Sequence, residues 1–275
     1  NFLPMKKHAL NLGSFILFFS ILIPFALDAQ YFGRNKPHYK TFDYKLYETP
    51  YFSIYHYLDN KEALDRIGLW SDQWYKMHQK IFRDSFYTKN PIILYNDHAD
   101  FQQTNAISGE IGVGTGGVTE ALRNRVIFPF TMTNQQTWHV LGHELVHAFQ
   151  YDVVINGDSS SIKNLQNLPL WMVEGLAEYL SLGRVDPFTA MWMRDAVLQG
   201  DVPGFKQLEN PRYFPYRYGQ AFWAFLAGMY GDDVIRPMFV NTAIYGIETA
   251  SAITLGVTAD QLSERFQNAL RTYYD

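Results

Sequence analysis

Two histidines and a glutamate in the segment His143-Glu144-Leu145-Val146-His147 form the most chemically suggestive pattern of this chain. In a helix, residues i and i+4 lie on the same face, so the imidazoles of His143 and His147 could bind one metal ion. Glu144 follows the first histidine directly, and its carboxylate could take a proton from a water molecule at that ion. This H-E-x-x-H spacing is typical of zinc peptidases, and the alternative is a helix that simply buries two histidines and a glutamate.

A third ligand must come from elsewhere in the chain, because a catalytic zinc site usually has three protein ligands and one open position. The apolar segment 171–180 carries Glu174 and Glu178, which share one face of a predicted helix. A buried carboxylate is costly unless it is paired or bound to a metal. We predict that Glu174 is the third ligand and that Glu178 accepts a hydrogen bond from a ligand histidine. The reverse assignment stays open, and exposed acids on an amphipathic helix are the alternative.

The other histidines have weaker sequence support. His139 precedes His143 by one predicted helical turn and lies on the same face. It supports the site or is a buried structural residue, because two histidines and Glu174 already satisfy zinc. Four further histidines have no partner at ligand spacing and are interpreted as ordinary surface or core residues: His38, His56, His78 and His98.

The segment His143-Glu144-x-x-His147, followed by Glu174-Gly175-x-Ala177-Glu178, resembles the gluzincin (peptidase MA-like) metallopeptidases. Together with segments 91–96, 100–105 and 114–120, it makes residues 40–275 similar to the peptidase-like domain that precedes a TolB-type β-propeller in some secreted bacterial proteins. The resemblance implies a zincin-like fold, bound Zn²⁺, a peptide or protein substrate and a β-propeller that can follow in the native gene. The gap from His147 to Glu174 is longer than in gluzincin aminopeptidases. We place the extra residues in a loop at 156–161, so the substrate class of aminopeptidases is not carried over.

The resemblance also implies a hydroxyl that stabilises the transition state. Tyr216-x-x-Gly219 is similar to the Tyr-x-x-Gly element of gluzincin aminopeptidases, in which the tyrosine faces the zinc. We expect Tyr216 to donate a hydrogen bond to the developing oxyanion, with Tyr218 as the second candidate. The chain has 19 tyrosines, so a packing role is the alternative for both. No specific role is expected for the intervening Arg217.

A glycine-rich segment precedes the predicted metal-binding helix. Gly112, Gly114 and Gly117 fit the spacing G-x-G-x-x-G, but no βαβ pattern surrounds them, so we predict a loop at the rim of a cleft and not a dinucleotide site. Residues 125–130 are predicted to form a short strand. By the resemblance, this is an edge strand that lines the cleft and pairs with an extended substrate.

Hydrophobic periodicity places these motifs on elements of a predicted α+β fold. Strands are predicted at 41–47, 51–57, 91–95 and 125–130, and Asp97 is predicted to cap the helix that follows it. Helices are predicted at 61–82, 134–152, 168–183, 187–199, 216–230, 232–241 and 258–273. A small mixed sheet therefore belongs to an N-terminal lobe over 30–152, which includes the zinc-binding helix, and a mainly helical C-terminal lobe covers 153–275.

The N-terminal residues 1–29 have the pattern of a signal peptide. Lys6 and Lys7 precede an apolar stretch over residues 10–27, and Ala29 provides a small residue at the predicted cleavage site. We expect export to a periplasm or secretion. An uncleaved membrane anchor is the alternative, because the apolar stretch approaches the length of a membrane span.

Composition narrows the function classes. The absence of cysteine excludes a disulfide-stapled scaffold and is compatible with a bacterial periplasm. A net charge of −4 argues against nucleic acid as a partner, and we expect membrane contact only through an uncleaved signal. The sequence thus predicts an exported zinc metallopeptidase. Its rivals are a catalytically weak binding module attached to a β-propeller and a zinc hydrolase of a non-peptide amide or ester.

Overall fold

A computed structural model describes residues 36, 38–155 and 157–274. The predicted signal peptide lies outside these residues. Within them the chain forms the expected mixture of α and β structure, with a small mixed sheet on the N-terminal side and mainly helices after it. No helix of this described part combines the length and apolar character that crossing a bilayer requires.

The sheet has five strands in the order β1-β2-β3-β5-β4: β1 (Lys45–Glu48), β2 (Phe52–His56), β3 (Asn90–Tyr95), β4 (Val118–Glu120) and β5 (Arg125–Pro129). Strands β2, β3 and β5 are parallel to one another, and β1 and β4 pair antiparallel at the two ends. The prediction that residues 125–130 form an edge strand is wrong, because β5 lies between β3 and β4. The edge strand on this side of the sheet is β4, whose three residues are too few to show a strand period in the sequence.

The helices follow the predicted pattern with local differences. They are α1 (Lys61–Phe82), α2 (His98–Phe101), α3 (Asn134–Ile155), α4 (Leu170–Leu182), α5 (Pro187–Leu198), α6 (Pro215–Tyr230), α7 (Ile235–Tyr245), α8 (Ile247–Leu255) and α9 (Ala259–Tyr274). Asp97 caps α2 as predicted, accepting a hydrogen bond from the Asp100 N–H. Helix α8 was not predicted, and α7 begins later than expected. Part of the loop predicted at 156–161 belongs to a 3-10 helix over Ser159–Asn167.

Helix α3 carries the H-E-x-x-H segment through the core. Its first turn is capped by Thr133, whose hydroxyl accepts from the Gln136 N–H at 3.1 Å. Helix α1 crosses α3 at Gly142, where a Cβ atom would meet the indole of Trp74 at 2.5 Å. The ring of His78 hydrogen-bonds the Gly142 carbonyl at 3.0 Å, and the Trp74 Nε1–H donates to the Trp138 carbonyl at 3.0 Å. These contacts fix α3 in position.

Helices α4 and α6 touch each other through their backbones. A Cβ atom on Gly175 would overlap the backbone of Gly219, and a Cβ atom on Gly219 would overlap the Trp171 carbonyl oxygen. The Trp223 Nε1–H donates to the Met172 carbonyl at 2.9 Å and adds a second tie between the helices. The close crossing brings the first turn of α6 next to the acidic face of α4.

Candidate metal centre

Three side-chain atoms from two helices converge at one point. The Nε2 atoms of His143 and His147 on α3 lie 3.2 Å apart. Glu174 Oε2 on α4 lies 3.2 Å from the Nε2 atom of His143 and 3.3 Å from the Nε2 atom of His147. Ligand atoms about 2.0–2.1 Å from a tetrahedral metal ion are about 3.3–3.4 Å apart, so this triangle fits one ion without rearrangement. The structure thus brings the three predicted ligands together, with side chains only 8–15% exposed.

The Nδ1 atom of each of these two histidines has a hydrogen-bond partner, which orients the Nε2 atom of the same ring toward Glu174. His143 Nδ1 lies 3.0 Å from Glu178 Oε1, and since a carboxylate only accepts, Nδ1 carries the proton. His147 Nδ1 lies 2.7 Å from Gln150 Oε1. The Gln150 amide nitrogen donates to the Val173 carbonyl at 2.9 Å, which fixes the amide orientation. Glu178 therefore has its predicted place, whereas Gln150 was missed.

Its position on the helix was the only sequence signal for Gln150. It follows His147 by three residues, hence on nearly the same helix face, and its side chain is fully buried in α3. A buried amide needs hydrogen-bond partners, and a metal-binding histidine needs an acceptor for its other nitrogen. A polar residue one turn after the second ligand could have been proposed on those grounds.

Electrostatics at the three ligand atoms favour a cation. Burial lowers the pKa of His143, but hydrogen bonds to Glu174 and Glu178 outweigh it and raise the pKa to about 10. Burial opposes a charged His147 too, yet the charge of Glu174 raises the pKa of His147. Burial raises the pKa of Glu174, but both histidines more than offset this and hold the pKa well below its usual range. In the metal-free protein, imidazole protons therefore supply positive charge that a bound metal ion would replace.

Glu144 lies beside the three ligands without belonging to them. It is 6% exposed, lines the cleft, and its pKa is raised by burial. The hydroxyl of Thr119 on β4 donates to its Oε2 at 2.8 Å. A carboxylate with a raised pKa at the wall of a cleft is suited to accept a proton and later return it.

The two candidate tyrosines occupy different places. Tyr216, in the first turn of α6, stacks on the ring of His143 with centroids 5.9 Å apart and planes 17° from parallel. Burial, and then the charges of Glu174 and Glu144, raise the pKa of Tyr216, so its hydroxyl stays protonated and can donate. Tyr218 lies about 200° further round α6 and packs against Tyr213 with ring centroids 5.4 Å apart. The structure brings Tyr216 to the site and leaves Tyr218 outside it.

Glu178 connects the ligand His143 to a wider polar network. His139 Nε2 lies 3.3 Å from Glu178 Oε1, and Arg217 Nη1 lies 3.2 Å from Glu178 Oε2. The same Arg217 nitrogen lies 3.2 Å from Asp186, which caps α5. Burial raises the pKa of Glu178, but hydrogen bonds from His139 and His143 outweigh it and lower the pKa to about 2. Arg217, for which no role was expected, therefore helps to hold the acid that orients a ligand.

A second group of metal-binding side chains shares this region, because His139, His143 and Glu178 also lie within 4.8 Å of one another. The guanidinium of Arg217, 3.2 Å from Glu178, opposes a second cation there. His143 already uses Nδ1 to donate to Glu178, which leaves Nε2 for the triangle with His147 and Glu174. We therefore interpret His139 and Glu178 as residues that hold His143 in place, and not as ligands of a second metal ion.

A cleft of about 570 Å³ opens beside Glu144. One wall is the glycine-rich segment 114–117, which confirms the predicted loop at the rim, and the opposite wall includes Phe214, Tyr216 and Arg217. The floor is α3 with His139, Val140, His143 and Glu144. No model of a known protein family matches the chain, and no curated protein matches it either.

Proposed function

We propose that this protein is a zinc metallopeptidase of the gluzincin type that hydrolyses peptide bonds. The observation that carries the proposal is the triangle of His143 Nε2, His147 Nε2 and Glu174 Oε2, with the carboxylate of Glu144 beside it but not in it. A structural zinc site usually has four protein ligands, whereas a catalytic site has three and an adjacent base. The two-histidine, one-glutamate set is a recurrent catalytic set for zinc.

The side chains of this cleft can divide the hydrolysis among them. Bound zinc would act as a Lewis acid toward a peptide carbonyl and lower the pKa of water. Glu144 accepts the proton of the attacking water and gives it to the departing amine. Tyr216 donates its hydroxyl proton in a hydrogen bond to the oxyanion that forms from the carbonyl oxygen. Glu178 and Gln150 keep the two ligand imidazoles in the tautomer that leaves Nε2 free.

An extended peptide is the substrate that the architecture favours. Strand β4 lies at the end of the sheet order and is preceded by the cleft wall 114–117. A free strand edge can bind an extended peptide by main-chain hydrogen bonds. The order of the sheet and the helices after it supports the proposed zincin-like fold, with the substrate along β4 in place of β5.

The decisive experiment compares zinc content with peptide cleavage. Wild-type protein and Glu144→Gln are analysed for metal and incubated with a mixed peptide library. We expect one zinc per chain in both, cleavage by wild type, and a loss of at least about a hundredfold in the variant, because a carboxamide cannot accept the water proton. One zinc per chain without cleavage by either would favour a binding module or a non-peptide substrate. Absence of zinc from both would refute the metal site.

Export is part of the proposal and depends on residues 1–29 alone. Their charged start, apolar stretch and small residue Ala29 are what a signal peptidase requires. Expression of the full sequence in a bacterium, followed by fractionation and N-terminal sequencing, tests it. A periplasmic or secreted protein that begins at Gln30 is expected, and an intact N-terminus in the membrane fraction would indicate an anchor.

A further inference from the structure

We infer that edge strand β4 positions the general base, with Thr119 and Gly117 setting the place of the Glu144 carboxylate. The inference about the contact stands on geometry, whereas its kinetic consequence rests on the proposed peptidase function. Thr119 and Gly117 are positioning residues, because they act through Glu144 and not on a substrate.

The first contact that positions Glu144 is a hydrogen bond from the hydroxyl of Thr119. Its Oγ1 lies 2.8 Å from Glu144 Oε2 and 2.9 Å from the backbone oxygen of the same residue. Thr119 is buried, so water competes little for this hydrogen bond. Among the described residues, no other side chain hydrogen-bonds the Glu144 carboxylate. The hydroxyl of Thr119, which lies between the carboxylate and the backbone oxygen of Glu144, is therefore the hydrogen-bonding group that orients this carboxylate.

Gly117 sets the space around the same carboxylate. A Cβ atom at this position would lie 2.8 Å from Glu144 Cγ and 3.0 Å from both Cδ and Oε1. Gly116 is similarly close to α3, since its Cβ atom would lie 2.9 Å from Val140 Cγ2. The glycines let the backbone before β4 lie directly against α3. Any larger residue at 117 must push the Glu144 side chain aside.

The Glu144 carboxylate needs to be held in place because it lies beside the proposed metal ligands. Glu144 is adjacent in sequence to the ligand His143, and an unrestrained carboxylate is attracted to a divalent cation held by that histidine. Thr119 holds Oε2 on the side of β4. Because β4 is the edge strand, a peptide that pairs with it would also hold the strand that orients the base. Substrate binding and base orientation are thereby coupled through one residue.

Kinetics of two variants at position 119, compared with wild type, test the consequence for catalysis. For Thr119→Val, which removes the hydroxyl and keeps the shape, we expect kcat to fall about tenfold to a hundredfold with KM within about twofold and zinc content unchanged. Thr119→Ser keeps the hydroxyl and is expected to restore most of kcat. Equal losses in Thr119→Val and Thr119→Ser, or a change in KM alone, would overturn the positioning role.

A matched pair of glycine variants tests the packing. Gly117→Ala is expected to lower kcat at least about tenfold with zinc retained, because displacement of the base by a fraction of an ångström removes near-attack geometry. Gly112→Ala lies in the same segment, and its Cβ atom would meet nothing within 4 Å, so no comparable loss is expected. Similar kinetics in both variants would contradict the role of Gly117.

A double-mutant cycle on thermal unfolding tests the contact without any enzymatic activity. Zinc-loaded wild type, Thr119→Val, Glu144→Ala and the double variant are unfolded at the same excess of zinc. A charge-assisted buried hydrogen bond predicts that the two substitutions couple by about tenfold in the unfolding equilibrium constant. Additive effects would refute the contact. If wild type cleaves no peptide while the coupling is found, the peptidase proposal fails and the contact stands.

Discussion

The two nitrogens of each ligand imidazole have different partners, and this difference decides which nitrogen is free for a metal ion. Glu178 and Gln150 each accept from an Nδ1–H, at 3.0 and 2.7 Å, so that both Nε2 atoms face Glu174. Without these acceptors each ring could rotate or change tautomer. The metal affinity expected of the site thus depends on residues outside the proposed set of ligands.

The two acids of α4 can be distinguished by metal binding. Glu174→Ala removes a ligand atom, so we expect a protein that retains less than one zinc per chain after dialysis. Glu178→Gln keeps the three ligand atoms and weakens the orientation of His143, for which a tenfold to hundredfold loss of affinity is typical, so about that loss is expected. Competition with a chromophoric chelator measures both. The opposite ranking would assign the ligand role to Glu178.

The two tyrosines of α6 form a second natural pair of variants. Tyr216→Phe removes the predicted donor to the oxyanion, and loss of one such donor typically costs about a hundredfold to a thousandfold in kcat. Tyr218→Phe also removes a single hydroxyl, but Tyr218 packs away from the site against Tyr213. We expect its kcat to stay near that of wild type. A large loss in Tyr218→Phe, with Tyr216→Phe active, would reverse the assignment.

At the scale of elements, one helix crossing sets the distance between two parts of the site. Glu174 precedes Gly175 on α4, and Tyr216 precedes Gly219 by one turn on α6. Because the two glycines touch, Glu174 and Tyr216 are held against the same ligand histidine. The glycines of these motifs are therefore explained by packing between helices.

Alanine substitutions at two glycines of α6 are expected to change the stability of the protein in opposite directions. Gly219→Ala forces a methyl group onto the Trp171 carbonyl, and such overpacking typically costs about 1–3 kcal/mol. Gly228→Ala lies on the same helix, where a Cβ atom meets nothing within 4 Å, so a gain of up to about 1 kcal/mol is expected from helix propensity. Urea unfolding with a shared m-value measures both. Equal stability of the two variants would contradict the backbone contact.

At the scale of the whole molecule, a metal ion bound as proposed would compete with protons for the same buried nitrogen atoms. The folded metal-free protein raises the pKa of His143 from 6.5 to about 10, so it binds this proton more tightly than the unfolded chain does. The contribution to stability is fully present below about pH 6.5 and disappears as the pH rises through about 10. A zinc ion at the proposed site would have to displace this proton, so its binding would become stronger over the same range.

Calorimetry of chelated and zinc-loaded protein tests this competition. We expect the difference in Tm between the two forms to widen as the pH rises from about 6.5 to 9, because the chelated form loses stability and zinc binding strengthens. The ionic strength and zinc excess are held constant across the series. A difference that is constant or narrows with pH would show that His143 is not protonated in the metal-free protein.

Sequence alone determined the local chemistry of the site. The i, i+4 spacing of His143 and His147 dictates a shared helix face whatever surrounds it, and the apolar setting of Glu174 and Glu178 indicates buried acids with a function. The long helices were predicted to within a few residues because a 3.6-residue period persists over many turns. These features depend on residues near one another in the chain.

Only the tertiary structure decided which distant residues complete the site. Thr119 and Arg217 reach their partners through strand pairing and helix packing, which leave no periodic signal in a single sequence. Strand β4 escaped prediction because three residues cannot display a period, and its presence turned the predicted edge strand into an interior one. The position of Tyr216, and not Tyr218, beside His143 likewise depends on how α6 rotates against α4, since the contact of two glycines determines which face of α6 turns toward His143.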